Sequence, residues 1–372
     1  ITVDVPIPEF FSRQYGGGLV FPMTTTGLHE NIGIENFRIY TDYSVNDEGV
    51  NTRQHLSKGI ALSNVQNAFV RNISAQNLYD NLVGVLWSCR FVTIQDCHQL
   101  GIPFSIMSFR EAGYYSGGAF PVEGQSVLIQ RCMARFVRHY GYVIGGFVAG
   151  PNVILDSDGQ DSEGFAEAHH RWSPGVLFDR MGHGSPTSLG IWDRGGMGTG
   201  HGWTTTNSVL WNCVAHREGF AVESPPLGRN FGVGGFIYNL ESSKYNSETR
   251  HLYHVGSFVG PSSLYVQQLQ DRLGRNALSN VLHEWQIQSR PVSPVIEIGN
   301  PDKNGDASVS IHPIAGFDDI RYTLDGSKPT IYSSLIYNNR PFTINLQEGT
   351  FVRAVALGGE GAQFDSKIHR AP

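Results

Sequence analysis

The sequence predicts an all-β protein: a right-handed parallel β-helix over residues 1–290, followed by a small β-sandwich over 291–372. Three observations carry this reading. Short runs of β-branched and apolar residues recur as far as about Tyr238. Charged residues make up 16% of the chain, against a usual share of about 25%, while Gly reaches 44. The last part of the chain switches to period-two alternation, the mark of half-buried strands.

The chain opens ITVDVPIPEFF. Ile1 to Ile7 reads as a strand, with no initiator Met and no basic-then-apolar leader, so a start part-way along a longer protein is expected. Asn31-Ile-Gly-Ile-Glu-Asn-Phe-Arg-Ile looks like a first copy of the repeat. Later copies are anchored on Val70, Val92, Val127, Val153, Val176, Val209 and Val233, with steps of roughly 22, 35, 26, 23, 33 and 24 residues. A floor near 22–26 with occasional excess is what a solenoid gives when loops enter at some turns. A β-sandwich would space its strands at about 8–12 residues instead.

Four cysteines are too few for a disulfide scaffold. Cys97 and Cys132 lie five past their anchors and Cys213 four past its own, so a ladder of small buried thiols is expected, with Cys89 outside it. Ser263 to Gly274 and Asn276 to Gln286 carry helical spacing, placing short helices near 262–288. Pro291 and Pro294 then mark the boundary. Ser308-Val-Ser-Ile, Asp319-Ile-Arg-Tyr-Thr-Leu, Phe342-Thr-Ile-Asn-Leu and Thr350-Phe-Val-Arg-Ala-Val-Ala read as the strands of the tail.

A net charge of −6 argues against a nucleic-acid partner. No run approaches the ~18–20 apolar residues of a membrane span. One glycosylation triplet, Asn72-Ile73-Ser74, is weak support for secretion.

Ile320-Arg-Tyr-Thr-Leu-Asp-Gly-Ser-Lys-Pro-Thr, with Tyr337, Pro341-Phe and Val352-Arg-Ala-Val-Ala, resembles the chitobiase C-terminal or fibronectin-associated module. That resemblance implies an immunoglobulin-like sandwich appended to a secreted carbohydrate enzyme and lacking catalytic residues.

The densest polar constellation is Ala168-His169-His170-Arg171-Trp172-Ser173-Pro174-Gly175, just before a repeat strand. Two His beside an Arg suit proton abstraction from an anionic substrate, with His170 or His169 as base and Arg171 on the anion. Packing of one His inside and backbone bonding of the other is the bland alternative. A second cluster is Arg138-His139-Tyr140, where imidazole and phenol are again proton-transfer groups. A third is Ile191 to Trp203, whose glycines admit a ligand and whose Trp192 or Trp203 suits stacking on a sugar. Arg110, Arg171 and Arg194 share an offset of eighteen from their anchors, which would stack them as a cationic strip.

Asp156, Asp158, Asp161 and Glu163 offer oxygen ligands of the kind Ca²⁺ takes. Carboxylates in turns are more often merely solvated, so no metal site is assigned and Ca²⁺ is the one open cofactor. Pro301 to Asp306 looks like part of a calcium loop without its later Glu, and reads as a turn. Glu223 follows the Val209 strand and is read as orienting an Arg or contacting substrate.

Taken together, Arg138-His139, His169 to Asp179, Gly200-His-Gly-Trp203, Glu223-Ser-Pro-Pro, Asn230, Ser263-Leu-Tyr, Gln267-Leu and Asp271-Arg-Leu-Gly resemble secreted parallel β-helix proteins of the pectate-lyase-like superfamily. Members carry a further N-terminal region, and Gln where His201 stands. The resemblance implies the fold and a role on carbohydrate. The expected activity is a polysaccharide lyase on a uronate polymer. His170, His169, Arg171, His139 and Tyr140 would then be catalytic, and Arg194, Arg110, Trp172, Trp203, His201, Glu223 and Arg138 would bind substrate. A β-helix hydrolase with paired carboxylates, drawn from Asp156, Asp158, Asp161, Asp179, Asp193 and Glu223, is the second reading. A non-catalytic glycan-binding solenoid is the third.

Overall fold

The computed structural model describes residues 7–9, 11–15, 17, 26–41, 56–76, 78, 80–100, 118–135, 137, 140–160, 165–182, 188–215, 219–237, 251–282, 295–299, 301–312, 319–324, 335–338, 340–345, 351–357, 363–365 and 369–370. The strand expected over Ile1 to Ile7 falls mostly outside them. The chain divides into two compact units, Ile1–Tyr265 and Val266–Pro372.

The first unit consists of two long parallel β-sheets, an arrangement that fits a β-helix. Successive repeats add strands to both sheets, and some place two in the first, as Arg90–Gln95 and His98–Leu100 do. In the first sheet, Val70, Ile94, Ile129, Ile154, Phe178 and Leu210 pair one above the next. All six are buried, so every added repeat removes another large apolar side chain from water, worth about 1.5–3 kcal/mol each. The second sheet has a matching column of Leu62, Val85, Val122, Ile144 and Ala168.

Strand pairing corrects the sequence anchors. The true register column is Ala68, Val92, Val127, Asn152, Val176, Ser208 and Asn230. Val209 pairs with Leu177, one past Val176. That shift is why Cys213 appeared one residue early, although it occupies the same column as Cys97 and Cys132. All four thiols are free and buried, and no disulfide forms.

The first sheet carries two left-handed columns, one at Asn31, Asn67, Phe91, Ser126, Gly175 and Asn207 near the strand starts and a second at the bend that follows. The bend column is Asn36, Asn72, Asp96, Arg131, Asp156, Arg180 and Asn212, with φ between 48° and 64°, followed by Gly234. Asn and Asp tolerate this region because their short polar side chains bond locally. The side chains then pair along the stack. Asn72 donates to Asn36 at 2.7 Å, Arg131 grips Asp96 at 2.8 and 3.0 Å, and Arg180 pairs with Asp156. Asp156, one of the carboxylates weighed for Ca²⁺, is thus held by an arginine, while Asp161 and Glu163 lie outside the described residues.

Helix Leu264–Leu273, which begins at the end of the first unit, and 3-10 helix Arg275–Asn280 realise the two helical segments, the latter as the tighter form. No helix among the described residues is long and apolar enough to cross a membrane. The tail forms antiparallel sheets in which Asp306–His312, Asp319–Thr323, Phe342–Asn345 and Phe351–Leu357 fall on the expected runs. Ile296, Val309, Ile311, Ile320, Ile344 and Val352 share one core, and Tyr322 stacks on Phe342 at 4.5 Å. Asp302 accepts from the Asn304 and Asp306 amides at 2.7 and 3.0 Å, which makes Pro301–Asp306 the expected turn.

Candidate functional site

The corners that follow the strands of the second sheet differ from repeat to repeat. After Ile144 comes Gly145-Gly146-Phe147, and after Ala168 comes His169-His170-Arg171-Trp172. The His169 amide donates to the Ile144 carbonyl and Phe147 donates to the Arg171 carbonyl, so these corners lie side by side. After Ile191 the chain makes a Gly-rich loop that returns at Trp203, closed by bonds between Arg194 and Gly202 and between Gly202 and Gly195. This loop brings His201 back onto the preceding corner, where its carbonyl accepts from the Arg171 amide.

Three imidazoles meet here. Ring centroids are 4.7 Å apart for His169–His170, 4.9 Å for His169–His201 and 5.1 Å for His170–His201. The Tyr140 ring stands edge-on to His169 at 4.8 Å. Two glycines make room for them. A Cβ on Gly146 would lie 2.7 Å from His170 Nδ1, and one on Gly198 would lie 2.1 Å from His201 Cε1.

Glu167 anchors the cluster. It precedes His169 by two residues, so strand alternation points both side chains the same way. Its carboxylate is 1% exposed and bonds Arg194 at 2.6 Å, a charge-assisted pair within the wall of the site. Arg194 also reaches His169 Nδ1 at 2.7 Å and the His169 carbonyl at 3.0 Å, and Glu167 lies 2.7 Å from the same Nδ1.

Hydrogen-bond bookkeeping assigns the tautomers. His201 Nδ1 donates to the Met197 carbonyl, leaving its Nε2 as an acceptor. His169 Nε2, 3.2 Å away, therefore carries a proton. A neutral His169 accepts at Nδ1 from Arg194, and a charged one donates there to Glu167. The protonation state of His169 thus selects its partner.

His170 is arranged differently. Its Nδ1 is buried with no hydrogen-bond partner among the described residues. Burial, then the neighbouring His169, lower its pKa below the ordinary histidine value, with His201 and Arg171 acting in the same direction. His201 is lowered too, by burial first and then by Arg194 and His169. Both rings are therefore held unprotonated at neutral pH. Arg171 uses one terminal nitrogen on the Thr199 hydroxyl at 2.6 Å and keeps its other donors as far as the described residues go.

The sequence-derived residues separate into three groups. His169, His170, His201, Arg171, Arg194 and Tyr140 come together. Trp172 and Trp203 flank them, joined through the Trp172 amide and the Trp203 carbonyl, and the Trp172 indole donates to Glu9. Glu223 accepts from the Asp193 amide at 3.0 Å and so pins the loop base. Arg194, expected to contact substrate, is committed to Glu167. Arg110, Arg138 and His139 lie outside the described residues. Glu167 and Thr199 were not anticipated, although a lone Glu in Phe165–Ala168, two before a His pair, was a usable signal. Among the described residues, no group of three or more His, Cys, Asp or Glu side chains is arranged to hold a metal ion.

Residues 314–368 match the family model described as Fn3 associated. The match lies wholly within the second unit and agrees with the motif centred on Ile320. The chain matches no curated protein and no solved structure.

Proposed function

We propose that the two parallel sheets are faces of a right-handed β-helix, that the tail is an immunoglobulin-like accessory sandwich, and that the chain is a secreted polysaccharide lyase acting on a uronate polymer. The observation that carries the reaction is His170, whose pKa burial and His169 lower, packed with His169 and His201 at ring-centroid distances of 4.7 and 5.1 Å and followed directly by Arg171. Arg171 binds the uronate carboxylate and acidifies the C5 proton. His170 takes that proton, the C4–O bond breaks and a C4–C5 double bond forms. The imidazolium then returns its proton to the leaving oxygen, restoring the base. Tyr140, His169 and His201 form the wall that orients the ring, with Glu167 and Arg194 fixing His169 in turn.

Hydrolysis would require two free carboxylates about 5–9.5 Å apart. The carboxylates near the histidines have other partners: Glu167 holds Arg194, Glu223 holds the Asp193 amide, and Asp193 holds the Gly195 amide at 2.9 Å. This favours elimination over the hydrolase reading.

The test is incubation with alginate, polygalacturonate, glucuronan, ulvan and glycosaminoglycans, read at the ultraviolet band of the unsaturated uronide. His170→Ala is expected to lower turnover by about 10²–10⁴ with an unchanged circular-dichroism spectrum. New reducing ends without that band would replace elimination by hydrolysis, and full activity in His170→Ala would remove it as the base.

A further inference from the structure

Arg171 and Trp172 both adopt the left-handed backbone region, at φ 54° and 64°. Among the described residues this is the one place where two successive residues other than glycine do so. A large side chain in that region is strained, and such a residue persists where its surroundings over-determine it. The backbone of the pair is tied on both sides. The Arg171 amide donates to the His201 carbonyl at 3.2 Å, the Arg171 carbonyl accepts from the Phe147 amide at 3.0 Å, and the Trp172 amide donates to the Trp203 carbonyl at 3.1 Å. The Arg171 side chain reaches the Thr199 hydroxyl at 2.6 Å.

The Trp172 side chain is held from a distant part of the sequence. Its indole nitrogen donates to the Glu9 carboxylate, 163 residues earlier, and both residues are half-buried. The segment that carries Glu9 is itself seated. The Asn207 side-chain amide donates to the Pro8 carbonyl at 3.2 Å. Gly175, at φ 76°, leaves the space beside Pro8 open, since a Cβ there would lie 2.5 Å from the Pro8 Cβ. Gly175 and Asn207 stand on successive repeats, two residues before the paired Leu177 and Val209. Pro8–Glu9 therefore lies across two repeats and ends on the ring that follows Arg171.

We infer that Glu9 is a positioning residue for the proposed reaction: it holds the Trp172 ring, which fixes the strained Arg171–Trp172 turn and with it the guanidinium that binds the uronate carboxylate. The inference rests on the lyase reading for what Arg171 binds. An indole nitrogen is a donor only, and a carboxylate is a strong acceptor for it. Without that acceptor the ring loses its anchor, and a turn in a sparsely populated backbone region relaxes towards commoner conformations. Arg171 then meets substrate in more than one orientation, and binding has to supply the missing order. The loss falls mainly on KM, because the guanidinium grips the carboxylate in the ground state as well as in the transition state.

The experiment follows amide hydrogen exchange of the full chain, by mass spectrometry of peptides covering residues 169–175, beside turnover on alginate, polygalacturonate and glucuronan. Glu9→Ala is expected to speed exchange in those peptides and to raise KM, each about three- to tenfold, with a smaller change in kcat. Glu9→Gln, whose amide oxygen still accepts from the indole, is expected to restore both. Trp172→Phe keeps a ring, removes the donor and is expected to reproduce Glu9→Ala, which keeps the test open should Glu9→Ala fail to fold. Glu35→Gln, at the exposed ion pair with Arg71 on the first sheet, is expected to change neither. Exchange and KM at wild-type values in Glu9→Ala and Trp172→Phe overturn the positioning role. Faster exchange with an unchanged KM overturns it too, as does an equal loss in Glu9→Gln and Glu9→Ala. Faster exchange in Glu9→Ala, restored by Glu9→Gln, in a chain that releases no unsaturated uronide from any acidic polymer overturns the lyase reading and leaves the hold of Glu9 on the turn standing.

Discussion

The two edges of the parallel sheets are built on opposite principles. At the bend of the first sheet, each repeat uses one left-handed residue, and Asn36 with Asn72, Asp96 with Arg131 and Asp156 with Arg180 pair along the stack. At the corner of the second sheet, the connections vary in length and composition, and there the chain gathers His169, His170, His201, Glu167 and Arg194. The regular edge pairs its charged side chains rung by rung, with Arg180 Nε buried and unpartnered among the described residues. The irregular edge instead gathers three imidazoles beside an arginine. On the proposed reading, stability and function are distributed to different edges of the same repeats, with one exception.

That exception is the Glu167–Arg194 pair, buried within the irregular edge, and it gives the largest expected effect. Arg194→Ala leaves the buried Glu167 carboxylate with His169 as its remaining partner among the described residues and is expected to cost about 3–5 kcal/mol by denaturant unfolding. Glu167→Gln in the same chain should recover much of that loss. A double variant no more stable than Arg194→Ala would mean the pair does not act as a unit.

The regular edge should respond less. Asn212 is buried, its Oδ1 accepts from the Val259 amide at 2.8 Å and its amide nitrogen donates to the Val259 and Ser262 carbonyls at 2.8 and 3.1 Å. Asn212→Ala removes these bonds and places Ala in the left-handed region, at a cost of about 1–3 kcal/mol. A loss within experimental error would show that the bend column is dispensable.

A smaller effect separates the edges by pH. Asp179, one residue before the bend, is wholly buried and accepts from Ser263 and from the Tyr265 amide at 2.7 and 2.8 Å. Burial pushes its carboxyl up to about 6, against the pull of those bonds and of Arg180. A carboxyl raised above its unfolded value favours the fold when protonated. Its stabilisation is complete below about pH 4 and lost as pH rises through about 6. Asp179→Asn is therefore expected to melt higher than the parent at pH 8, with the gap closing in acid. A gap that does not vary with pH would contradict this.

Much of the regular edge was legible in the sequence. Gln-Asp-Cys, Gln-Arg-Cys and Trp-Asn-Cys, closing the runs at Cys97, Cys132 and Cys213, carry both the bend and the thiol column. The register itself was less legible, because adjacent β-branched residues offer more than one Val to align. Val153 and Val209 each lie one past the true column for that reason. At the irregular edge, His169-His170-Arg171 stood out by density, but the partner of Arg194 did not. A sequence shows a cation without showing whether a carboxylate 27 residues away already holds it. His201 was placed among substrate-binding residues, and its bond to His169 depends on how a Gly-rich loop closes, which local propensity does not encode.

On the lyase proposal, the irregular edge keeps His170 as an unprotonated base. The most direct test is kcat/KM against pH on whichever acidic polymer yields unsaturated uronide. Burial and the neighbouring His169 lower the pKa of His170, so the acid limb is expected below the ordinary histidine value of about 6.5. An acid limb at or above that value, or activity that continues to rise with alkaline pH and shows no histidine titration, would contradict the account.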